Sequence, residues 1–214
     1  MVDQYQVLHG IIASRRSVRR FRPEPVPEGD VRKMIECARW APSATNQQPW
    51  RFIAVATRRA IAELARLVDR RLNELIIEAR DGGLEELAAR LKSFGTYATF
   101  FGGAPLLIVC VARPYQSRFS AAVFQALGYE QKARSVESLK SVSLAAQNLL
   151  LAAHALGYGA CPMSAPQAFA GTEMKAYLGI PPEEEIVLLV PVGRPDHVPH
   201  PPRRKEIDEI LTWL

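Results

Sequence analysis

Cysteine is scarce in this sequence, and the few that occur are scattered. The 214 residues include three of them, Cys37, Cys110 and Cys161. No Cys-x-x-Cys pair and no spacing typical of metal ligands is present, which argues against a zinc site and against a disulfide framework. Each thiol is more typical of a small buried hydrophobic side chain than of a nucleophile. The odd, sparse count favours reduced thiols and a cytoplasmic location.

Long hydrophobic runs and targeting segments are also missing. The N-terminus lacks the apolar stretch of a secretory signal peptide. The most apolar region is interrupted by Gln147, Asn148 and His154, so we expect no transmembrane helix and no membrane partner. Neither an internal repeat nor a linker divides the chain, and its length suits one hydrophobic core. We therefore predict a single domain over residues 1–214.

Familiar catalytic signatures are absent as well. The sequence has no Walker loop, no Gly-x-Gly-x-x-Gly after a strand and no Gly-x-Ser-x-Gly elbow. Its four histidines, His9, His154, His197 and His200, do not form a metal constellation, so no metal is expected. His154 lies in a strong helix pattern and is interpreted as a satisfied core or interface side chain.

Positive charge is unevenly distributed along the chain. The formal net charge is +5, and basic residues crowd both ends. The clusters are Arg15, Arg16, Arg19, Arg20 and Arg22 near the start and Arg203, Arg204 and Lys205 near the end. They indicate either an anionic partner or a solvated basic surface. Forked guanidinium donors beside a hydroxyl, as in Arg15-Arg16-Ser17, suit a phosphate monoester. Nucleic acid is not expected, because the arginines do not follow a helix with base-reading amides.

Helix and strand patterns alternate along the chain. Apolar runs at residues 52–56, 106–111 and 186–192 predict strands, and the second of them is typical of a strand buried on both faces. Residues 136–156 form the strongest helix pattern. Its second half, 144–156, is apolar nearly all round, which predicts a central helix or one at a subunit interface. Strands separated by helices imply a mixed α/β or α+β sheet with helices packed on it.

The most informative stretch is the polar segment at residues 41–50, Ala-Pro-Ser-Ala-Thr-Asn-Gln-Gln-Pro-Trp. Its prolines and its small or amide residues predict an ordered loop between a helix and a strand. Hydroxyls and amides on such a loop can read the edge of a flat polar ring, although most loops of this composition only connect elements. A second segment, 113–135, has little periodicity. Its aromatic residues either pack locally or line a pocket as a mobile lid.

Four ordered pieces of the chain stand out together. They are Arg15-Arg16-Ser17-Val18-Arg19, Pro42-Ser43-x-x-Asn46-x-Gln48-Pro49-Trp50, Gly157-x-Gly159-x-Cys161-x-Met163, and Gly193-Arg194 with Arg204-Lys205. In this order the chain resembles the nitroreductase family of FMN-dependent enzymes over nearly its whole length. The resemblance implies an α+β fold with a central mixed sheet flanked by helices. It also implies an intertwined homodimer with FMN at the interface, in which the apolar helix at 144–156 would be part of the dimer core.

The resemblance gives the basic clusters and the loop one common role, which is to bind FMN. The implied contacts are Arg15, Arg16, Ser17, Arg19, Pro42, Ser43, Asn46, Gln48, Pro162, Met163, Ser164, Arg194, Arg203, Arg204 and Lys205. Arg15, Arg16 and Ser17 would hold the phosphate together with Arg204 and Lys205 from the C-terminal end, and Arg203 could substitute for either of these two. Arg19 would reach the ribityl or the N1–O2 side of the flavin, where a cation stabilises negative charge. The loop would contact the isoalloxazine ring from the opposite subunit. A backbone N–H of Ser164 or Ala165 would point at N5, whereas Arg70 and Asn73 are only possible partners of the pyrimidine edge.

The reaction implied by the resemblance is hydride transfer in two half-reactions. NADH or NADPH would reduce flavin N5 and leave, and a nitroaromatic, a quinone or a similar flat electron-poor acceptor would then take the hydride. No side-chain acid or base is required. The segment 113–135, with Phe119 and Phe124, is the candidate substrate lid. Alternatives are an oxygen-dependent oxidation, an enone reduction or a dehalogenation on the same fold, or a non-catalytic flavin-binding protein.

Overall fold

The computed structural model describes residues 3–115, 122–123, 126–128 and 134–214. The helices in these ranges are α1 (Gln4–Ser14), α2 (Glu28–Ala38), α3 (Arg58–Asp81), α4 (Glu85–Thr99), α5 (Arg134–Ala155) and α6 (Ala165–Leu178). The strands are β1 (Trp50–Val55), β2 (Leu106–Ala112), β3 (Gly159–Ala160) and β4 (Glu185–Gly193). Short 3₁₀ turns lie at Ala44–Asn46, Phe100–Gly103 and Ile207–Glu209. The three predicted strands and the strong helix are therefore confirmed.

The strands form one sheet in the order β1-β2-β4-β3, and each neighbouring pair is antiparallel. At its centre, Val109 of β2 lies opposite Ile53 of β1 and Leu189 of β4. One isolated parallel bridge, between Ser17 and Ala160, adds the N-terminal segment beside β3. These pairings confirm the predicted α+β class, in which the four strands are antiparallel and the Ser17–Ala160 bridge adds a parallel pairing.

The central strand β2 is buried on both faces, and all of its residues are buried. Ile108 and Cys110 pack into one layer with α2 and α5, whereas Leu107 and Val109 pack into a second layer with α3 and α6. Alternate side chains of a strand point to opposite faces, so this position requires the continuous apolar run seen in the sequence. Helices therefore cover both faces of the sheet.

Helix α2 carries one of the three cysteines, and this one is not buried as expected. Its buried stripe includes Met34 and Ala38, which are fully enclosed. Cys37 lies off this stripe and is exposed, so the prediction that each thiol is buried is wrong for this residue. Cys110 and Cys161 are buried, as predicted.

Helix α5 is the main element of the first layer. Val142, Ala145, Leu149 and Ala153 are buried along the side that packs against α2 and the sheet. On another side, Leu144 remains 49% exposed. The predicted central position is thus confirmed, but contacts within the chain explain only part of the apolar pattern of this helix.

Both ends of the described chain contribute little to the core. Helix α1 has no buried residue, and its Tyr5, Leu8 and Ile12 side chains are exposed. All residues from 201 to 214, which we call the C-terminal arm, are exposed, and Trp213 is 85% exposed. The arm contains one 3₁₀ turn, at Ile207–Glu209, and none of its residues is buried.

Most of the predicted lid at 113–135, including Phe119 and Phe124, lies outside the described residues. Its first three residues continue directly from β2 and belong to the site described below. Among the helices that the structure describes, none combines the length and the apolar character needed to cross a membrane.

Candidate functional site

The N-terminal basic segment is held against the short strand β3. Val18 donates its backbone N–H to the Ala160 carbonyl at 3.1 Å, and Ser17 forms a parallel bridge with the same residue. A Cβ atom at Gly159 would lie 2.6 Å from Val18 Cβ, so this close approach requires glycine. Two of the four motifs, the basic segment and the Gly-x-Gly-x-Cys-x-Met turn, are therefore neighbours in the structure.

Arg15 presents an unsatisfied hydrogen-bond donor in this segment. Its Nη1 atom is buried and has no hydrogen-bond partner among the described residues. In contrast, Arg16 Nη1 donates to the carbonyl oxygens of Ala13 at 2.7 Å and Arg15 at 2.9 Å. A buried donor without an acceptor costs about 1–3 kcal/mol, and more when it is charged. The site therefore favours an anionic oxygen at Arg15, which is the chemistry of a phosphate monoester.

Cys161 lies in the middle of the same cluster and is 4% exposed. Burial raises the pKa of its thiol, and this effect outweighs Arg19, a hydrogen bond from Ser17 and Arg15, which all act to lower it. The thiol is therefore neutral near pH 7. A buried neutral thiol is a poor nucleophile, so no catalytic role is assigned to it.

The turn after β3 leads directly into the N-terminus of α6. The backbone of Met163 exchanges hydrogen bonds with Leu189 of β4 at 2.8 and 2.9 Å, and its side chain is buried. Pro162 and Ser164 are exposed, and Ser164 occupies the N-cap position without a side-chain cap. The first N–H groups of a helix lack partners within it and carry partial positive charge. The backbone at Ser164 and Ala165 is thus suited to an electron-rich atom.

The polar loop at 41–50 is ordered by its own hydrogen bonds, as the sequence predicts. Ser43 Oγ accepts a hydrogen bond from the Gln48 backbone N–H at 3.0 Å, and Gln48 Nε2 donates to Asn46 Oδ1 at 3.3 Å. Thr45, Asn46 and Gln48 have φ angles of 50°, 54° and 51°. This left-handed region is uncommon for residues with a side chain, above all for a β-branched one such as Thr45. The loop therefore has a defined and strained shape.

The start of the predicted lid braces this loop. The Arg113 backbone N–H donates to the Pro49 carbonyl at 2.7 Å, and the Tyr115 hydroxyl lies 3.4 Å from Thr45 Oγ1. Beside the loop is a groove of about 350 Å³ lined by Arg39, Trp40, Ala41, Asn46 and Gln48. Two predicted flavin contacts, Asn46 and Gln48, thus face open space large enough for part of a ring system.

In one chain, the loop and the basic segment lie at opposite edges of the sheet. The loop leads into β1, one edge strand, whereas the basic segment pairs with β3, the other edge strand. Neighbouring strands are about 4.8 Å apart, so the two edges are separated by roughly 14 Å. The structure thus brings the basic segment to the turn at 159–164, but it does not bring Pro42, Ser43 and Asn46 of the same chain to them.

Arg194, which the resemblance assigns to the cofactor, contacts the end of helix α5 in this structure. Its Nη1 donates to the carbonyl oxygens of Leu156 at 3.2 Å and Gly157 at 3.0 Å, just past the end of α5. Its guanidinium carbon lies 4.3 Å from the centroid of the Tyr158 ring. Gly157 has a φ of 78°, and a Cβ there would lie 2.7 Å from Arg194 Nη1. Arg194 therefore caps this helix end, and its role in cofactor binding stays a prediction.

Tyr158 extends this network to α2. Its hydroxyl donates to Asp30 Oδ2 at 2.8 Å, and Lys33 Nζ donates to Asp30 Oδ1 at 2.9 Å. The hydrogen bond from Lys33, followed by that from Tyr158, lowers the pKa of Asp30. Burial, followed by the bond to Asp30, raises the pKa of Tyr158. The network fixes the turn that leads from α5 into β3.

The remaining predicted residues lie on exposed surfaces. Arg203, Arg204 and Lys205 are exposed in the C-terminal arm. Arg70 and Asn73 are exposed on α3, where Asn73 Nδ2 donates to Asp69 at 3.3 Å. The roles of these residues toward a cofactor stay predictions.

Two contacts at the site were missed by sequence reasoning. His154 Nε2 lies 2.7 Å from Ser14 Oγ, directly before the basic segment, and the partners are 140 residues apart in the chain. The contact between Thr45 and Tyr115 joins residues 70 apart. No spacing pattern signals such pairs, because they depend on how whole elements pack.

Fold and site together define an α+β protein with an arginine-rich anion site at one edge of its sheet and a strained polar loop at the other. A family model described as the Nitroreductase family matches residues 12–194. The chain belongs to the nitroreductase family, and it is an oxidoreductase.

Individual relatives agree with this assignment. The chain is 32% identical over 202 residues to an NADH dehydrogenase of Thermus thermophilus, which covers 93% of this chain and 92% of the relative. A BluB-like flavoprotein from Clostridium difficile 630 has a TM-score of 0.85 and 25% identity, covering 97% of this chain and 98% of that one. Oxidized iodotyrosine deiodinase bound to FMN and 3-iodo-L-tyrosine has a TM-score of 0.71 and 27% identity, with the same coverage of 97% and 98%. The predicted nitroreductase-like fold is thereby confirmed.

Proposed function

We propose that this protein is an FMN-dependent oxidoreductase that uses NADH or NADPH to reduce a flat, electron-poor acceptor such as a nitroaromatic or a quinone. The observation that carries the proposal is the buried Nη1 atom of Arg15, which lies beside the turn at 159–164 and has no hydrogen-bond partner in the described part of the chain. A phosphate monoester supplies the acceptor that this donor lacks. Membership of the nitroreductase family, and the FMN in the related deiodinase structure, support FMN as the source of that phosphate.

The chain's own residues bind and orient the cofactor. Arg15, Arg16 and Ser17 hold the phosphate, and Arg19 stabilises negative charge on the flavin. The backbone donors at Ser164 and Ala165, at the start of α6, attract the electron-rich edge of the ring. When bound, FMN supplies the hydride chemistry between the nicotinamide and the acceptor. The protein contributes position and electrostatics, and no side-chain acid or base is assigned.

We further propose that the site is completed in a homodimer. The loop and the basic segment lie at opposite edges of one sheet, so a site that uses both requires the loop of a second subunit. Exposed apolar side chains on α1, on α5 and in the C-terminal arm, such as Leu8, Leu144 and Trp213, are suited to that contact. The arm would then carry Arg203, Arg204 and Lys205 toward the phosphate. We take residues 1–214 as one domain of each subunit, in the cytoplasm, where its free cysteines stay reduced.

Reductive dehalogenation is the second candidate reaction. It is favoured by the likeness to iodotyrosine deiodinase, which extends over 97% of this chain and 98% of that structure. Both reactions use the same bound cofactor and differ in the acceptor. The predicted lid would choose between acceptors, and most of its residues lie outside the described part of the chain. The acceptor is therefore best identified by assay.

The test of the function is an absorbance spectrum of the purified protein before and after anaerobic addition of NADH or NADPH. We expect flavin bands that bleach on addition of either nucleotide. Bands that persist indicate another reductant or a non-catalytic flavin protein. A protein that neither contains nor takes up FMN contradicts the proposal. The reduced enzyme is then mixed with a nitroaromatic, a quinone, an enone, an iodinated phenol and oxygen to rank the acceptors.

A matched pair of variants tests the phosphate contact. Arg15→Ala removes the unpartnered donor and is expected to weaken FMN binding about 10- to 100-fold, as expected for a hydrogen bond to a charged group. Arg22→Ala removes an exposed arginine of the same basic cluster and should leave the affinity unchanged. Equal losses in both variants would mean that the cluster acts only through its overall charge.

A further inference from the structure

His154 connects helix α5 to the end of α1, immediately before the basic segment. Its Nε2 atom lies 2.7 Å from Ser14 Oγ. Ser14 is the last residue of α1, and Arg15 and Arg16 follow it in the chain. The imidazole is therefore held at the residue that directly precedes the two arginines proposed to hold the cofactor phosphate.

The hydrogen bonds of Ser14 indicate which ring nitrogen carries a proton. The hydroxyl has one proton, and its Oγ lies 2.6 Å from the Gly10 carbonyl oxygen, which can only accept. The hydroxyl therefore donates to Gly10, and His154 Nε2–H donates to Ser14 Oγ. Nδ1 is left as the atom that takes up a proton. The contact with Ser14 persists whether the ring is neutral or charged, so this ring can titrate without breaking its link to α1.

The surroundings of His154 disfavour its protonation while no anion is present. Desolvation, followed by the charges of Arg15 and Arg16, lowers its pKa. Among the groups that the structure describes, the Cys161 thiol lies in the same arginine cluster, whereas Asp30, Lys33, Tyr158 and Arg194 form the separate network with α2. A dianion bound at the two arginines would offset their repulsion and add its own attraction for an imidazolium.

We propose that His154 is a positioning residue that couples FMN binding to proton uptake, so that it favours FMN binding increasingly as the pH falls from about 8 toward about 6. The inference rests on the proposed placement of the phosphate at Arg15 and Arg16. The direction follows from linkage. A group that is more basic in the complex than in the free protein takes up a proton on binding, and its contribution to affinity grows on acidification until both states are protonated.

Protonation of the phosphate changes the FMN affinity in the opposite direction as the pH falls. This effect must be separated from the effect of protonating the histidine. Its second pKa is about 6, and the monoanion binds cations more weakly than the dianion. A variant at position 154 leaves this effect unchanged. His154→Gln keeps an N–H donor for Ser14 but cannot gain a charge. The difference between wild type and this variant therefore isolates the proton taken up by the ring.

The experiment is a titration of the apoprotein with FMN, followed by flavin fluorescence, at several pH values. We expect the ratio of affinities at about pH 6.5 and about pH 8 to be roughly 1.5- to 4-fold larger in the wild type than in His154→Gln, because the full factor of about ten per pKa unit is reached only when both states are protonated. His9→Gln, a histidine substitution within α1, is the control and should keep the wild-type ratio. Calorimetry in buffers of different ionisation enthalpy should show more protons taken up by wild type than by His154→Gln.

Nuclear magnetic resonance of the wild type gives a test that does not depend on a variant folding. The pKa of one histidine should rise by about half a unit to one unit when FMN binds. An unchanged histidine pKa, or the same pH dependence in wild type and His154→Gln, overturns the inference. So does a loss of affinity in His154→Gln that is equal at every pH, because a purely structural contact has that effect. If Arg15→Ala keeps full FMN affinity, the phosphate placement itself fails and the inference fails with it.

Discussion

At the scale of single residues, burial separates the three thiols by reactivity. Burial raises the pKa of Cys110 to about 12. It also raises the pKa of Cys161, against the pull of two arginines. Cys37 is exposed on α2. Because the thiolate is the reactive form, the folded protein presents Cys37 as its accessible thiol.

Thiol titration with a disulfide reagent at pH 8 checks this order. The native protein is expected to react quickly at one site, and Cys37→Ser should remove that reaction. In denaturant the wild type should release all three thiols of the chain. Rapid reaction of Cys37→Ser in the native state would mean that Cys110 or Cys161 is accessible, contrary to the burial described here.

Thr45 has a left-handed backbone conformation that its β-branched side chain disfavours. It is β-branched and has φ 50° and ψ 28°. The left-handed conformation costs an ordinary residue roughly 1–2 kcal/mol. Asparagine tolerates it better, so Thr45→Asn is expected to stabilise the apoprotein by about 1 kcal/mol. For a chain of this size the melting temperature should rise by roughly 2–4 °C.

Thr45→Val is the matched control, because it keeps the β-branch and loses only the hydroxyl. It should not raise the melting temperature of the apoprotein, measured by circular dichroism. If Thr45→Asn is no more stable than Thr45→Val, the loop does not store the strain that its φ angles indicate. The sequence could not reveal this strain, since the loop contains no glycine to mark the left-handed positions.

At the scale of elements, an ionic cluster ties three strands together at one end of the sheet. Arg51 of β1 donates through Nε to Glu184 Oε2 at 2.9 Å. Its Nη2 lies 2.5 Å from the same oxygen, and this second contact is ionic without the geometry of a hydrogen bond. Arg113, just after β2, lies 3.5 Å from Glu184 Oε1. Glu184 precedes β4, and its side chain is 12% exposed. Arg113 therefore takes part in both structures: its side chain belongs to the ionic cluster, and its backbone N–H braces the polar loop at Pro49.

Removing the shared carboxylate should loosen this end of the sheet. Glu184→Ala leaves the half-buried Arg51 without its partner, and we expect a loss of about 2–3 kcal/mol in the free energy of unfolding, measured with urea. Glu74→Ala, which removes a partner of Arg71 in an exposed helical pair, should cost less than about 0.5 kcal/mol. Similar losses in both variants would mean that burial adds nothing to the Glu184 contacts.

Most elements could be predicted from the sequence because their patterns are local. The run at 106–111 has the composition of a strand covered on both faces, and β2 is such a strand. Gly157 and Gly179 mark helix ends, and both have positive φ. Helix α4 continues through Gly95 to Thr99, although glycine is a common helix-ending residue, so this signal alone does not fix the end of the helix. The pairing of the basic segment with Ala160 had no local signal at all.

At the scale of the whole molecule, the exposed apolar residues of the C-terminal arm require an explanation. Ile207, Ile210 and Trp213 are 69%, 70% and 85% exposed. Side chains of this size are seldom left in water together in a stable protein, and they are typical of interface contacts. The proposed homodimer accounts for them if each arm packs on the other subunit.

Removal of residues 206–214 is therefore expected to weaken dimerisation by about tenfold or more, and FMN binding with it. Light scattering coupled to size-exclusion chromatography measures the mass, and fluorescence measures bound flavin. Trp213→Ser should act in the same direction. Tyr177→Ser, an exposed aromatic on α6, serves as the control and should leave both unchanged. A truncated protein that remains a dimer with full FMN content would exclude the arm as part of the interface.

The sequence by itself determined the local features of this protein: the apolar strands, the central helix, the basic segment and the ordered polar loop. These depend on residues a few positions apart, so their periodicity and composition are sufficient. Only the tertiary structure decided that Arg15 keeps a buried donor without a partner among the described residues, that Arg194 caps a helix, and that His154 meets Ser14. It also placed the loop and the basic segment at opposite edges of one sheet. The physical reason is that strand order and helix packing join residues distant in the chain, and those pairings follow from the burial of the whole core.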